Sequence, residues 1–332
     1  MTSYIIKKMK FFKKLFSFEI VSLIIITALA VVGLLNNQYF AIHDDQHIAR
    51  LYLLDQAVRQ GILYPRWVGG LGFNFGYPLF NFYPPLIYYV AEFFHLIGFN
   101  LLWSLKLMIV TGSFISSFGI YLLGKRFFDK KTGLLAATLF TFFFYRAITI
   151  YIRGAWAEFF AMSILPFVFL GLDDIYKNKS IKSIFLFCMS LTLLILAHPL
   201  IAFPAFFFIG LFFIYYFFYS ENRLLFVKNF LVGIFLALSL SAFFWLPSLI
   251  EKKYTMIDTI LIRELANYKI HFIYPYQFWF SPWGYGGSIE GPADGISFQL
   301  GNIHIFLTIF SLIIFVSYLF IKKKRESVKL YI

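Results

Sequence analysis

The sequence has little charge and almost no cysteine. Only 14% of its 332 residues are charged, whereas a soluble domain carries about 25%, so the shortage excludes a soluble globule and a disordered chain. The single cysteine, Cys188, lies within an apolar run, which excludes an intramolecular disulfide and a cysteine-based metal site. The HExxH, Walker A and GxSxG motifs are also absent, so nothing favours a hydrolase or a nucleotide-driven pump.

The chain consists largely of long apolar runs. Hydrophobic residues make up 61% of it and aromatic residues 23%, and the mean hydropathy is +0.78. The net charge of +13 comes from short basic clusters between the apolar runs, which is how a multi-pass membrane protein is oriented rather than how nucleic acid is bound. The basic segment 1–16 leads into a run too long for a signal peptide, and no small-residue cleavage site follows. We therefore predict a multi-pass protein of the cell (cytoplasmic) membrane with an uncleaved first span.

The apolar runs predict an all-α polytopic fold with about eight transmembrane helices. A span needs about 20 mostly apolar residues. Runs that meet this length are 18–39, 104–124, 133–151, 156–175, 182–198, 201–219, 229–249 and 302–321. We treat the whole chain, 1–332, as a single transmembrane domain.

Segment 78–98 is ambiguous, because it is apolar and aromatic but contains Pro78, Pro84, Pro85 and Glu92. If it stays outside, 19 of the 29 basic residues face the cytoplasm; if it crosses, only 12 do. Since cytoplasmic segments are enriched in Lys and Arg, we predict a juxtamembrane element here. Both termini are then cytoplasmic, and two long loops, about 40–103 and about 250–301, lie outside.

The first outer loop opens with the string His43-Asp44-Asp45-Gln46-His47. Ionisable groups at a membrane surface are costly and are candidates for function. His43, Asp44 and His47 could hold a divalent cation, Mg, Mn or Zn, and a free carboxylate of Asp44 or Asp45 could act as a general base. In the alternative interpretation, Asp44 only caps a helix that begins near Asp45.

A second acidic position is Glu158, on the outer half of a predicted span. A carboxylate there must face a cavity, a metal or a partner, and Arg153 or Arg146 could pair with it. Arginine also suits a phosphate, so Arg153 and Arg66 are candidate substrate-binding residues, although Arg66 could simply snorkel to the interface.

Other polar and aromatic residues complete the candidate set. His198, in the turn before Pro199, is either a helix cap or a substrate contact, and Tyr83 and Trp156 join the expected substrate-binding residues. The glycines of GGLGFNFGYP lack dinucleotide-binding spacing and indicate a sharply turning loop instead. Trp279, Trp283 and Tyr285 are typical interfacial anchors, although aromatic rings also stack on sugars.

Several of these strings together resemble a known family. HDDQH, LYPRWVGGLGFNFGYPLFNFYPPLIYY, RGAWAEFFAMSILP, LAHPL and SAFFWLPSLIEKKY, spread over about residues 15–260, resemble the bacterial and archaeal membrane proteins labelled 6-pyruvoyl-tetrahydropterin-synthase-related. Nothing in the chain resembles the soluble pterin enzyme. The family is in turn similar to the GT-C glycosyltransferases.

The resemblance implies a GT-C-like fold, with an acidic motif just after the first span and a juxtamembrane helix in the same loop. Asp44 and Asp45 would be that motif, and Glu158 would correspond to the second acidic position. The donor would be a polyprenyl-phosphate-linked sugar, used on the extracytoplasmic face. The chain departs from the pattern in having one acid at Glu158 and in stopping soon after the eighth span, which implies a minimal version or a fragment that lacks a C-terminal acceptor domain.

These inferences give a leading hypothesis and alternatives. The leading one is an inverting glycosyltransferase of the cell envelope, with a lipid-linked sugar donor, a glycan, lipid or protein acceptor, and membrane lipids as its surroundings. Asp44 or Asp45 would deprotonate the acceptor, and Arg153, Arg66 or a bound cation would stabilise the phosphate. The alternatives are a non-catalytic transporter or flippase for lipid-linked glycans, an assembly partner of a transferase, and an inactive copy.

Overall fold

The computed structural model describes residues 17–178, 180–257 and 267–329. Within these ranges the chain is helical and contains no β-strand, and one isolated bridge pairs Val68 with Tyr77. The helices are α1 Phe18–Val31, α2 His47–Arg59, α3 Leu79–Phe82, α4 Leu86–Leu96, α5 Leu101–Phe127, α6 Lys130–Thr141, α7 Phe144–Ile148, α8 Trp156–Asn178, α9 Ile181–Ala197, α10 Pro199–Tyr219, α11 Arg223–Glu251 and α12 Asn302–Lys329. A π-helical turn, Thr149–Arg153, extends α7.

Local sequence sets several of the helix starts. A side-chain oxygen accepts a hydrogen bond from a backbone N–H of the first turn and so satisfies a donor that the helix itself leaves unpaired. The residues that cap helices in this way are Ser17, Asn100, Asp129, Ser180 and Asn222.

Helix α8 forms the centre of the bundle. It packs against α5, α9, α10 and α11, and 67% of its most apolar stretch is buried, whereas none of the corresponding stretch of α12 is. Glycines allow two of these close approaches: a Cβ at Gly112 of α5 would lie 2.8 Å from the ring of Phe159, and one at Gly171 of α8 would lie 2.6 Å from Cα of Phe187. The first turn of α8 carries Glu158, so the packing fixes this carboxylate in the bundle.

The protein is a multi-pass membrane protein, as predicted. Five helices in the described part of the chain are long and apolar enough to cross a membrane: α5, α8, α10, α11 and α12. The predicted span 133–151 is not one straight helix, because α6 and α7 are bent by 44° at 142–143; counted as one span, they make a sixth. In the predicted spans 18–39 and 182–198, the helices Phe18–Leu34 and Ile181–Ala197 are apolar but shorter than 18 residues.

The ambiguous segment 78–98 forms two short helices, α3 and α4. The 11 residues of α4 rise only about 16 Å at 1.5 Å per residue, well short of a bilayer core of about 30 Å. Helix α4 packs against α2 and α5, and α3 packs against α11. The segment predicted as the first outer loop is therefore folded onto the helix bundle.

Candidate active site

The acidic motif is fixed to the π-helical turn by its backbone. The N–H of His43 donates to the carbonyl oxygen of Ile152 at 2.8 Å, and the N–H of Asp44 donates to that of Arg153 at 3.0 Å. Carbonyls at the end of a helix have no partner within it, so they are available to another segment. The loop is therefore held beside Arg153 and, through it, Glu158.

Gly154 makes this contact possible. Its φ of +64° lies in the left-handed region, and a Cβ there would lie 2.8 Å from Cδ1 of Ile42 and 3.1 Å from the carbonyl oxygen of Asp44. A side chain would thus be strained by the backbone and would push the motif away.

Asp44 is a half-buried member of a polar network rather than a helix cap. Its Oδ2 accepts hydrogen bonds from Nη1 of Arg50 and from the hydroxyl of Tyr83, both at 2.9 Å. Helix α2 begins at His47 with Gln46 at its cap position, which rules out the capping interpretation of Asp44. Both bonds use Oδ2, so neither of them occupies Oδ1.

Arg50 and Tyr83 also contact each other. The Arg50 guanidinium lies 4.2 Å from the centroid of the Tyr83 ring. Burial, followed by the charge of Asp44, raises the pKa of Tyr83 to about 12, so the hydroxyl keeps its proton and donates to the carboxylate. Sequence analysis missed Arg50, whose only signal was its place three residues after His47 on a short helix.

His47 has a structural role. It is fully buried, its Nε2 lies 2.7 Å from the carbonyl oxygen of Gly154, and its Nδ1 lies 2.9 Å from the Tyr88 hydroxyl. Its ring stacks on that of Trp156, with centroids 4.1 Å apart. Burial lowers the pKa of His47 to about 4, so the imidazole is neutral: Nε2 donates to the carbonyl, and Nδ1 accepts from the hydroxyl.

The metal site predicted at His43, Asp44 and His47 does not fit this geometry. Both ring nitrogens of His47 are taken, and His43 Nε2 lies 2.7 Å from the carbonyl oxygen of Tyr285. No group of three His, Cys, Asp or Glu residues in the described ranges could hold a metal ion. The reason is that His47, in the first turn of α2, is buried in the core, whereas His43 is exposed.

Glu158 forms an ion pair with Arg153, one of the two partners predicted for it. Its Oε2 lies 2.9 Å from Nη2 of Arg153, and its Oε1 lies 3.1 Å from Nη1. The Tyr145 hydroxyl donates to the same Oε1 and accepts from Arg153 at 2.7 Å. Arg146, the other predicted partner, instead donates to the carbonyl oxygen of Thr141, at the end of α6.

These residues line one cavity of about 490 Å³, which we call the Asp44 cavity. It brings together most of the predicted site residues with the unpredicted Arg50. Its lining residues are His43, Asp44, Arg50, Tyr83, Arg153, Ala155, Ala157, Glu158 and His198.

Other predicted residues lie elsewhere. Arg66 pairs with Glu251 and donates to Oδ1 of Asn81, outside the lining of the Asp44 cavity. Trp156 is buried beneath His47, and Asp45 is exposed beyond the cavity wall. Asp44 and Asp45 are adjacent in the sequence but only Asp44 lines the cavity, because successive side chains of a turn point in different directions.

An apolar cavity adjoins the first one at His198. This Trp245 cavity has a volume of about 520 Å³ and lies between the α9–α10 turn, α11 and the residues after α3. His198 lines both cavities, and its buried Nδ1 has no hydrogen-bond partner among the described residues. Its backbone also joins the two helices, because its N–H donates to Leu194 and its carbonyl accepts from Ala202. The residues that line the Trp245 cavity are Phe82, Pro84, Ile195, His198, Pro199, Leu200, Ala202, Phe203, Phe206, Leu238, Phe244, Trp245, Ser248 and Leu249.

Residues 267–301, in the segment predicted as the second outer loop, reach the rim of the Asp44 cavity. Besides the contact of Tyr285 with His43, the Trp283 ring packs edge-on against Phe144, with centroids 5.6 Å apart. Trp279, Trp283 and Tyr285 are each about half exposed, as interfacial anchors would be.

Comparison with known proteins agrees with the sequence resemblance. A family model described as the 6-pyruvoyl-tetrahydropterin synthase related domain of membrane proteins matches residues 80–330. A protein of Lactococcus lactis subsp. cremoris, described as uncharacterized, is 29% identical over 195 residues, which cover 56% of this chain and 31% of that protein. The chain thus aligns with less than a third of that relative. No solved structure matches the chain.

Proposed function

The chain belongs to the 6-pyruvoyl-tetrahydropterin-synthase-related family of membrane proteins, and we propose that it is a glycosyltransferase that uses a polyprenyl-phosphate-linked sugar on the extracytoplasmic face. The proposal includes a GT-C-like arrangement of the helices. Its acceptor is a glycan, a lipid or a protein.

The observation that carries the proposal is the junction of a charged cavity with an apolar one. The Asp44 cavity contains two carboxylates and two guanidinium groups, and His198 connects it with the Trp245 cavity, which is lined almost entirely by apolar side chains. A lipid-linked sugar phosphate has the matching halves, because its head is polar and charged and its chain is apolar. The head would occupy the first cavity and the start of the chain the second.

In this proposal Asp44 is the general base. The acceptor hydroxyl gives its proton to Asp44, its oxygen attacks C1 of the donor sugar, and the bond from C1 to the phosphate oxygen breaks with inversion at C1. Polyprenyl phosphate leaves with the bonding electrons. Arg50 and Tyr83 hold the carboxylate in position through Oδ2.

Arg153 is the group that we assign to the leaving phosphate. Its side chain is 33% exposed, while Glu158 and Tyr145 hold its orientation. A positioned cation next to a developing negative charge is the kind of interaction that most lowers a barrier. His198, at the junction of the cavities, is placed to donate a hydrogen bond to the same phosphate.

The test compares two neighbouring carboxylates. Purified protein in liposomes is given radiolabelled polyprenyl-phosphate hexose, and release of label to acceptor and to water is measured for Asp44→Asn and Asp45→Asn. We expect Asp44→Asn to lose transfer by about 10³-fold, within the range for removal of a base. Asp45→Asn is the matched control and should keep its activity, since Asp45 is exposed outside the cavity. Transfer by Asp44→Asn at the wild-type rate would disprove the assignment.

A further inference from the structure

A third cavity lies on the far side of Arg50 and Tyr83. It has a volume of about 630 Å³, and we call it the Tyr77 cavity. Arg50 and Tyr83 line both this cavity and the Asp44 cavity, while Gln46, Ala49, Leu71 and Tyr77 line this one alone. The two cavities thus share a wall that is two side chains wide.

The shared wall is attached to the proposed base. Arg50 and Tyr83 stack on each other, and each donates a hydrogen bond to Oδ2 of Asp44. The Asp44 carboxylate therefore lies directly behind the wall that faces the Tyr77 cavity. The donor phosphate would sit on the opposite side of Asp44, near Arg153 and His198.

The outer wall of the Tyr77 cavity is a strained loop. Val68 and Tyr77 close it with a pair of backbone hydrogen bonds of 2.9 Å each. Between them Gly72, Phe73 and Asn74 all have left-handed φ values, 60°, 55° and 70°. Each such residue other than glycine costs about 1–2 kcal/mol, and strain of this kind concentrates at functional sites.

The lining indicates the class of ligand. Gln46 and Arg50 supply polar groups to the lining, and Tyr77, Phe82 and Tyr83 supply aromatic rings. The positive charge of Arg50 is balanced by Asp44 at 2.9 Å, so the cavity does not call for an anion. A sugar ring has hydroxyls that hydrogen-bond to polar side chains and an apolar C–H face that packs on aromatic rings, and a cavity of this volume is within the usual range for small ligands.

We propose that the Tyr77 cavity is the acceptor subsite and that the acceptor is a carbohydrate. The inference rests on the proposed function, because it supplies the second substrate of the same reaction. The acceptor hydroxyl at the Arg50–Tyr83 wall loses its proton to Asp44 and forms the new bond to C1, while the polyprenyl phosphate leaves on the other side.

Two variants test the subsite without changing the proposed catalytic groups. Ala49→Trp fills the cavity, and Tyr77→Ala removes one aromatic wall. Gln56→Trp is the matched control, since Gln56 is exposed on the same helix and does not line the cavity. Release of hexose from the polyprenyl phosphate to water reports the donor side, and transfer to a panel of methyl hexosides and hexobioses reports the acceptor side.

We expect both cavity variants to raise the acceptor KM by about tenfold or more, the loss expected for a ring contact or a blocked pocket. Release to water should stay within about twofold of wild type in all three variants. Wild-type values of acceptor KM in both Ala49→Trp and Tyr77→Ala would overturn the subsite while leaving the proposed function intact.

A binding experiment separates failure of the subsite from failure of the function. A methyl hexoside that carries a diazirine is photolysed with the wild-type protein and with each variant, and labelled peptides are mapped by mass spectrometry. Label within 46–83 that free hexobiose displaces and that Ala49→Trp loses supports the subsite, even if the wild type shows no turnover. No displaceable label, or label confined to other segments, would overturn it.

Discussion

The imidazole of His47 hydrogen-bonds to the carbonyl oxygen of Gly154, 107 residues away in sequence, at 2.7 Å. This bond ties the first turn of α2 to the end of the π-helical turn, and it lies beneath the Asp44 cavity. The backbone N–H groups of His43 and Asp44 also donate to carbonyls of the π-helical turn, so the two segments are joined at a second place. Two segments that carry opposite ends of the site, Asp44 and Glu158, are therefore held in a single arrangement.

Gly154→Ala should disrupt this junction. The left-handed φ of +64° costs a residue with a side chain about 1–2 kcal/mol, and the new Cβ would also collide with Ile42. We expect a lower melting temperature and a loss of transfer that exceeds the loss of folded protein. Gly69→Ala is the control, because nothing lies within 4 Å of a Cβ there and its φ is not left-handed. Equal melting temperatures for the two variants would contradict the role of Gly154.

The buried His47 should make stability fall as the pH is lowered. Its folded-state pKa of about 4 lies below the ordinary value of 6.5, so between these values the unfolded chain binds the proton more readily. The free energy of unfolding should therefore decrease by up to about 1.4 kcal/mol for each pH unit lost between 6.5 and 4. Melting curves in detergent would show this slope in wild type and a flatter one in His47→Gln. His43→Gln, which leaves the buried imidazole in place, should keep the wild-type slope.

The ion pair of Arg153 and Glu158 should show strong coupling. Glu158 is only 7% exposed, so removing Arg153 alone leaves a nearly buried carboxylate without its cation. We expect Arg153→Met to destabilise the protein by about 3 kcal/mol, whereas the double variant Arg153→Met, Glu158→Met should recover much of this loss. A double-mutant cycle on melting temperatures measures the coupling. Additive effects of the two substitutions would show that the pair is not coupled.

Ionisation of the buried Glu92 carboxyl should destabilise the protein at neutral and high pH. It is 2% exposed on α4, and both of its carboxyl oxygens lack a hydrogen-bond partner among the described residues. Burial, followed by the nearby charge of Asp55, raises the pKa of Glu92 above its usual value. The native state thus keeps the proton that the unfolded chain releases above about pH 4.5, and stability falls as the pH rises through that window.

Glu92→Gln keeps the shape of the neutral acid and removes this penalty. The melting temperature of Glu92→Gln minus that of wild type should therefore become larger as the pH is raised from 5 to 8. The exposed Glu290→Gln is the control and should show no such trend. A difference between Glu92→Gln and wild type that does not change with pH would contradict the prediction.

Sequence analysis predicted much of the candidate site but not its internal arrangement. The predicted site residues His43, Asp44, Tyr83, Arg153, Glu158 and His198 all line one cavity. Arg50 was missed because its role depends on the turn between Asp44 and α2, which returns the chain toward the carboxylate. Arg66, predicted either to bind substrate or to snorkel to the interface, lies outside this cavity and pairs with Glu251 at the end of α11.

The sequence by itself determined that this is a multi-pass helical membrane protein, because hydropathy and charge are summed along the chain and need no knowledge of packing. It also indicated that 78–98 does not cross as a single helix. Only the tertiary structure decided that 133–151 bends, that His47 is buried, and that Asp45 points away while Asp44 meets Arg50 and Tyr83. Two of those outcomes depend on contacts between residues far apart in the sequence, 107 positions for His47 with Gly154 and 39 for Asp44 with Tyr83. Hydropathy and charge summed along the chain carry no information about such pairings, which the packing of the helices sets.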